Sequence, residues 1–187
     1  MCQAVFASLW RLHRPMTGLV GLIVLIVTPA HAQQPSLACK LLQVVEIESA
    51  LGGKASTKLS GSSQNVPGMD VDHCSVELSV PGQKEGIRVV DITIVKNLPM
   101  DGGDAIRTRN AGTARERQWK GTGARLEEKT VGNTICIMYG RPGVVGHSIC
   151  SIPRAKGYVE VDVRAPLQEM VSFDVLRALV EKAVNRL

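Results

Sequence analysis

Four cysteines that follow an apparent export signal set the strongest limits on how this chain can fold. The first 32 residues hold two arginines, then an unbroken apolar run over residues 19–27, then the small-residue box Ala30-His31-Ala32. This order of positive charge, short apolar core and small residues is typical of a cleaved secretory signal. As a helix the apolar run spans only about 13 Å, far less than a bilayer core. We therefore expect cleavage after Ala32, no membrane anchor, and a mature domain over residues 33–187.

The first cysteine of the chain leaves with the signal, and an even number remains: Cys39, Cys74, Cys136 and Cys150. An even count in an exported chain predicts disulfides. Residues 133–139 and 147–152 read as two strands on either side of a Pro-Gly turn. A hairpin centred on Gly143 sets Cys136 opposite Cys150, within reach of a cross-strand bridge. The pair Cys39–Cys74 follows by elimination and would tie the first helix to the sheet.

Two other uses of these cysteines are open. Four thiolates could hold zinc, but their spacings contain no C-x₂-C pair, so we expect no metal and no other cofactor. Alternatively, Cys39 is a lipidated N-terminus, because Ser36-Leu37-Ala38-Cys39 resembles a lipobox. Serine stands where leucine belongs in that motif, and lipidation would leave Cys74 without a partner.

The composition of the mature chain excludes several classes of function. Its 155 residues suit one domain, and 20 Lys and Arg against 17 Asp and Glu give a net charge of only +3. This mild charge does not indicate a nucleic-acid partner. Four aromatic residues are too few for the stacking platforms of typical nucleobase or carbohydrate sites. The sequence also has no recognisable hydrolase motif, phosphate loop or dinucleotide fingerprint.

The apolar periodicity predicts alternating helices and strands. Residues 36–51 carry a helical pattern, with Gln43 as an alternative start, and residues 54–70 suit an edge strand with a mobile loop around 60–68. Strict alternation predicts strands over 73–80 and 87–95, and a helix is expected over 104–118. Four further strands are expected near 123–130, 133–139, 147–153 and 158–164.

The C-terminal helix has the clearest pattern. We expect Pro166 in its first turn, followed by an apolar stripe that ends at Leu187. Consecutive strands joined by tight turns favour antiparallel pairing. The predicted fold is therefore a single α+β domain, with an antiparallel sheet, helices packed on one face, and N- and C-terminal helices flanking the strands.

The opening of the mature chain resembles a known group of proteins. Residues 39–52 read CKLLQVVEIESALG, which is similar to the C-x-L-L-[TS]-x-x-E-[IV]-x-x-x-L-G start of small exported bacterial domains. Those domains place a second cysteine after the next loop and end in an amphipathic helix finishing in x-R-L, as Val184-Asn185-Arg186-Leu187 does here. Many are lipoproteins or cell-envelope proteins of unknown function. The resemblance implies a Cys39–Cys74 bridge and assigns no catalytic residues.

One segment departs from the average charge of the chain. Residues 107–125 hold six Lys and Arg against one acid, whereas the rest of the mature chain has 14 basic residues against 16 acidic ones. The segment also carries the only tryptophan of the mature chain. We expect Arg115, Arg117, Trp119 and Lys120 to bind an anionic envelope component or an acidic protein. The alternative is a solvated helix and loop, with Trp119 packed into the core.

The sequence favours a binding or accessory role over catalysis. The two histidines of the mature chain, His73 and His147, each read as ordinary residues of a strand. We therefore interpret the chain as a non-enzymatic domain of the cell envelope, periplasmic or secreted. One alternative is an enzyme that brings His73 or His147 together with acids and a hydroxyl group. The other is a soluble carrier that holds an apolar ligand in a cavity between sheet and helices.

Overall fold

The computed structural model describes residues 36–82, 87–116 and 123–187, and only the backbone of Arg115 and Glu116. All of these residues fall within one unit that spans 32–187. The signal predicted over residues 1–32 lies outside the described residues. So do Arg117, Trp119 and Lys120 of the predicted anion-binding segment.

Across the described residues, the chain runs helix, strands, helix, strands, helix, which confirms the predicted α+β class. The helices are α1 (Val44–Leu51), α2 (Gly102–Glu116) and α3 (Phe173–Val184), with 3₁₀ turns at Leu37–Lys40 and Leu167–Glu169. The first four strands are β1 (Lys54–Ala55), β2 (Ser60–Val66), β3 (Met69–Ser79) and β4 (Ile87–Lys96). The last four are β5 (Arg125–Val131), β6 (Thr134–Gly140), β7 (Val145–Arg154) and β8 (Gly157–Pro166).

The strands form one antiparallel sheet in the order β1-β3-β4-β8-β7-β6-β5, and β2 also pairs with β3. The strands β2 to β4 form one meander and β5 to β8 a second. The two meanders join where β4 pairs with β8, from Val89 opposite Arg164 to Val95 opposite Tyr158. Helix α2 connects them, because a chain that leaves β4 must reach the far edge of the sheet to begin β5.

One face of the sheet carries the main apolar core. Side chains of a strand alternate between faces, and the residues that point to this core face come from β3, β4, β6, β7 and β8: Cys74, Val76, Leu78, Val90, Ile92, Ile94, Cys136, Cys150, Ile152, Val159, Val161 and Val163. Helices α1 and α3 cover it with Ile47, Leu51, Leu176, Leu179, Val180 and Ala183. The predicted flanking of the strands by the terminal helices is confirmed.

Helix α2 lies on the opposite face of the sheet, so the expectation of helices on one face holds for α1 and α3 alone. Arg109 of α2 pairs with Glu160 and lies over the ring of Tyr158, 5.5 Å from the ring centroid. Asn110 donates to the Glu128 carboxylate at 3.2 Å. These strand residues alternate with those of the core face. We call this second side of the sheet the polar face.

Both disulfides are present and join the cysteines in the expected pairs. Cys136 lies opposite Cys150 in the β6–β7 register, with their Cα atoms 4.1 Å apart. Cys39, in the first 3₁₀ turn, is bonded to Cys74 of β3, with a Cα–Cα distance of 5.0 Å. Disulfides form and persist in oxidising compartments, so the two bridges indicate an extracytoplasmic location.

The prediction of a mobile loop around residues 60–68 is wrong. Most of it is strand β2, which pairs with β3 from Ser60 opposite Ser75 to Val66 opposite Met69. The polar, glycine-containing sequence has a packing reason. A side chain at Gly61 would come within 2.6 Å of the Cys39 sulfur and within 2.7 Å of the His73 carbonyl oxygen. The strand passes so close to the disulfide that only glycine fits there.

The predicted start and end of the C-terminal helix also need correction. Pro166 ends β8, opposite Val145, and a 3₁₀ turn separates it from α3, which begins at Phe173. Proline has no N–H to donate, so it is as well suited to the last position of a strand as to the first turn of a helix. Leu187 lies beyond the helix and is 49% exposed, so it is not part of the buried stripe.

An ion cluster fastens α1 to the end of α3. The Glu46 carboxylate bonds to the Arg186 guanidinium at 2.6 Å, to the Lys182 ammonium at 2.7 Å, and to the backbone N–H of Gln43 at 2.8 Å. The bonds from Arg186, then those from Lys182 and Gln43, hold the pKa of Glu46 well below its usual range. The folded state therefore favours the ionised form of this carboxyl group.

Replacing Glu46 by glutamine is expected to destabilise the protein at neutral pH by about 1 kcal/mol, because the partly exposed ion pairs with Arg186 and Lys182 are lost. Glutamine can still accept from the backbone N–H of Gln43, so the helix cap is retained. A carboxyl pKa lowered by folding contributes stability above the unfolded-state pKa of about 4.3, and that contribution is lost as pH falls toward the folded-state pKa. Denaturant unfolding at pH 7 and pH 3 should therefore show the gap between the two proteins narrowing in acid. Glu181→Gln, on the exposed side of α3, is the control. A gap that is constant across pH contradicts the role given to Glu46.

Candidate functional site

The basic segment predicted to bind anions is only partly described. Arg115 lies in the last turn of α2, but its side chain is outside the described residues, as are Arg117, Trp119 and Lys120. The three other arginines of the segment each pair with a different acid: Arg107 with Asp104, Arg109 with Glu160, and Arg125 with Glu127. These three are engaged in ion pairs. Anion binding by residues 115–120 stays a prediction.

The polar face carries a network of charged side chains. Asp91 of β4 lies opposite Asp162 of β8. The Asp91 carboxylate accepts a hydrogen bond from Arg164 at 2.6 Å and contacts the His73 Nε2 atom at 3.0 Å. The Asp162 carboxylate contacts the His147 Nδ1 atom at 2.8 Å. Both carboxylates are mostly buried beneath more exposed partners.

This network orients both histidines. Each imidazole is oriented by a carboxylate, and His147 also stacks on Tyr139 with ring centroids 4.9 Å apart. His73 lies on β3 and His147 on β7, with β4 and β8 between them. Neighbouring strands lie about 4.8 Å apart, so the two histidines are separated by about 14 Å or more. Concerted acid–base catalysis needs both groups within hydrogen-bond reach of the substrate. The two imidazoles do not form such a pair.

A cavity of about 440 Å³ opens at one end of the sheet, between the end of β4 and the turn that joins β7 to β8. It is lined by residues 94–97, residues 154–159 and Leu187. Three of these residues are basic and exposed: Lys96, Arg154 and Lys156. None of the lining side chains is acidic. We call this site the basic end cavity.

The three cations of the basic end cavity have no ion-pair partner in the part of the chain that the structure describes. Arg154 makes one hydrogen bond, from Nη2 to the Val184 carbonyl oxygen at 3.4 Å. Asp70 lies opposite Lys96 in the β3–β4 register, but its carboxylate accepts instead from Asn97 Nδ2 at 2.5 Å. The cavity therefore retains an excess of positive charge.

Backbone contacts fix the walls of the basic end cavity. The N–H of Leu98 donates to the carbonyl oxygen of Lys156 at 3.1 Å, which joins the loop after β4 to the β7–β8 turn. Asn97 has a φ of 59°, a left-handed conformation that asparagine adopts more readily than most residues. A side chain at Gly102 would overlap the carbonyl oxygen of Gly157. The start of α2 therefore packs tightly on the same turn.

Sequence reasoning missed the basic end cavity because its cations come from distant segments. Lys96 ends one strand, and Arg154 follows 58 residues later. The available signals were a lysine directly after the strand predicted over 87–95 and the Lys156-Gly157 turn of the last hairpin. What joins them is the pairing of β4 with β8, which places Val95 opposite Tyr158. No local pattern in the sequence predicts that pairing.

An open apolar groove of about 500 Å³ lies between α1 and α3. Its lining is mainly small and aliphatic: Val45, Glu46, Ser49, Ala50, Val175, Ala178, Leu179 and Lys182. The carrier alternative places its ligand between the sheet and the helices. There the structure has a core of almost fully buried side chains, which favours a packing role for that apolar surface.

The described residues form neither a metal-binding cluster nor a membrane-spanning helix. Within residues 36–82, 87–116 and 123–187, no group of three or more His, Cys, Asp or Glu side chains is arranged to hold a metal ion. In the same ranges, no helix combines the length and the apolar character needed to cross a membrane.

Comparisons with known proteins identify a structural similarity but no family. No protein-family model matches the chain, and no curated protein matches it. Among solved structures, it is similar to the extracellular domain of PknH from Mycobacterium tuberculosis, with 15% sequence identity and a TM-score of 0.47. The alignment covers 82% of this chain and 97% of that one.

Proposed function

We propose that this chain is an exported binding domain that takes up an anionic ligand in the basic end cavity. The observation that carries the proposal is that Lys96, Arg154 and Lys156 line one cavity without an acidic partner among the described residues. Charges of one sign that line a concave surface focus the field and attract ions of the opposite sign. Lysine and arginine donate charge-assisted hydrogen bonds to phosphate and carboxylate groups. A ligand carrying such a group fits the cavity.

A location outside the cytoplasm agrees with this role. Both disulfides suit an oxidising compartment, and the sequence predicts a secretory signal over residues 1–32. The resemblance of residues 39–52 to small exported bacterial domains favours the cell envelope. Anionic groups are abundant on envelope surfaces as lipid headgroups and as phosphates or carboxylates of glycans, so a cationic cavity would meet suitable ligands there.

The segment around Trp119 remains a second candidate for the same class of ligand. Arg115, Arg117 and Lys120 supply the charge, and an acidic protein would be an alternative partner. The described arginines on either side of these residues are already paired with acids. That pairing makes the basic end cavity the better supported of the two sites.

We expect the triple variant Lys96→Gln, Arg154→Gln, Lys156→Gln to bind glycerol phosphate at least about tenfold more weakly than the wild type, since each charge-assisted hydrogen bond is lost. Nuclear magnetic resonance titration of the mature protein would measure the affinity and show which amides shift. In the wild type, the largest shifts are expected in β4 and the β7–β8 turn. Raising the salt concentration should weaken binding, because ions screen charges at the surface.

Two further triple variants make this test selective. Lys40, Lys58 and Lys129 are exposed lysines elsewhere on the described surface, and changing them to glutamine removes the same charge without touching the cavity. That variant should bind as the wild type does. Arg115, Arg117 and Lys120 changed to glutamine tests the other candidate. If only this last variant loses binding, the anion site is the segment around Trp119. Equal losses in all three variants would mean that net charge alone is responsible.

A further inference from the structure

Exposed apolar side chains lie beside the basic end cavity. Met100, in the loop after β4, is 47% exposed, and Pro99 next to it is also exposed. Leu187 lines the cavity itself and is 49% exposed. These apolar side chains lie next to three cations that have no ion-pair partner among the described residues.

The position of Met100 follows from the two ends of its loop. At one end, Asn97 lines the cavity and the Leu98 N–H bonds to the Lys156 carbonyl oxygen. At the other end, Gly102 packs against the Gly157 carbonyl oxygen. Met100 is two residues from Gly102, so their Cα atoms lie at most about 7 Å apart. Both anchors are on the β7–β8 turn, and Met100 is therefore held at the rim of the cavity.

The acids near this rim each accept a hydrogen bond or form an ion pair elsewhere, whereas Lys96, Arg154 and Lys156 have no ion-pair partner among the described residues. Asp70 accepts from Asn97 at 2.5 Å. Asp101 caps α2 by accepting from the backbone N–H of Gly103 at 2.8 Å, and Asp104 pairs with Arg107 at 2.8 Å. The surface formed by the cavity and its apolar rim thus combines unpaired positive charge with exposed apolar side chains.

We infer that this surface docks on an anionic lipid bilayer, an inference that rests on the proposed anion binding in the basic end cavity. Lipid phosphates would accept hydrogen bonds from Lys96, Arg154 and Lys156, while Met100 and Leu187 enter the boundary between headgroups and acyl chains. Peripheral membrane binding combines electrostatic attraction to anionic lipids with burial of apolar area. The positive charge and the exposed apolar area that such binding requires are both present at this end of the sheet.

Sedimentation with lipid vesicles tests the inference. The mature protein should bind phosphatidylcholine vesicles that contain phosphatidylglycerol, should not bind pure phosphatidylcholine, and should dissociate as salt rises. We expect the double variant Met100→Ser, Leu187→Ser to lower vesicle binding by about fivefold or more, because apolar burial is lost. The same variant should bind soluble glycerol phosphate as the wild type does. Leu126→Ser, at a residue of β5 that is also 47% exposed, is the matched control.

The outcomes separate this inference from the proposed function. If glycerol phosphate binds through the cavity but anionic vesicles do not bind, docking on lipid is wrong and anion binding stands. Vesicle binding that is unaffected by serine at positions 100 and 187 overturns the apolar contribution and with it the inference. Binding of the protein to polyglutamate is measured as well. If the protein binds polyglutamate but not vesicles, an acidic protein is the partner. If glutamine at positions 96, 154 and 156 changes no binding at all, both proposals are wrong.

Discussion

Replacing Leu176 by alanine is expected to lower the free energy of unfolding by about 2–5 kcal/mol. Leu176 lies on α3, is fully buried, and belongs to the core that α1 and α3 share with the sheet. Truncating the side chain removes apolar contacts and leaves a cavity that close-packed surroundings fill only in part. Urea unfolding of the wild type and the variant, followed by circular dichroism, measures the difference.

Val45→Ala is the control for this experiment. Val45 lies on α1 but is 61% exposed, so its truncation should change the free energy of unfolding by no more than about 0.5 kcal/mol. A loss below about 1 kcal/mol for Leu176→Ala would be far outside the range for buried leucines. That result would mean that α3 does not dock on the core face.

The second large effect is expected from removing the Cys39–Cys74 bridge. Changing both cysteines to alanine should cost about 4 kcal/mol, against about 3 kcal/mol for the same change at Cys136 and Cys150, in the chain-entropy account of cross-links. The difference arises because the first bridge closes a loop with a sequence separation of 35 and the second one of 14. Cys74 and Cys150 are both fully buried, whereas Cys39 is less buried than Cys136, so lost packing should not enlarge the effect at the first pair.

Guanidinium unfolding of the two double variants measures this difference. Non-reducing peptide mapping of the wild type should first recover linked peptides that contain residues 39 and 74, and residues 136 and 150. A larger loss from the Cys136–Cys150 pair than from the Cys39–Cys74 pair would contradict the entropic argument. The bridge within the β6–β7 hairpin would then stabilise mainly through contacts in the folded state.

The sequence was informative wherever burial alternates or repeats along a single element. The alternation of Cys74, Val76 and Leu78 predicts β3 with the correct face inward, and the spacing about Gly143 predicts that Cys136 and Cys150 lie opposite each other. The apolar stripe of α3 likewise predicts that Leu176 and Val180 are buried. In each case the signal is local, because one periodicity reports which face of one element meets the core.

The errors arose where distant parts of the chain decide the structure. Strand β2 has a sequence typical of a loop, but the disulfide beneath it requires small residues such as Gly61. The side of the sheet on which α2 packs depends on Glu160 and Glu128 of strands that follow it. Neither constraint leaves a periodic pattern, since the interacting partners are far away in the sequence.

The same reasoning explains why the sequence did not indicate the basic end cavity. A run of basic residues, such as residues 115–120, is visible in a sequence. A cluster made from Lys96 and Arg154 is not, because it exists only once β4 pairs with β8. The prediction of an anionic partner rested on local charge density, whereas the proposed cavity depends on which strands are neighbours in the sheet.

The disulfide pattern has a consequence for how the protein is made. Among residues 33–187, both bridges join consecutive cysteines: one ties the first 3₁₀ turn to the β2–β4 meander, and the other lies within the β5–β8 meander. A chain that enters an oxidising compartment N-terminus first presents Cys74 as the next thiol after Cys39, and Cys150 as the next after Cys136. An oxidase that pairs thiols in order of emergence would therefore produce the native bridges directly. Biogenesis would then need no disulfide isomerase, and each half would be covalently closed before β4 meets β8.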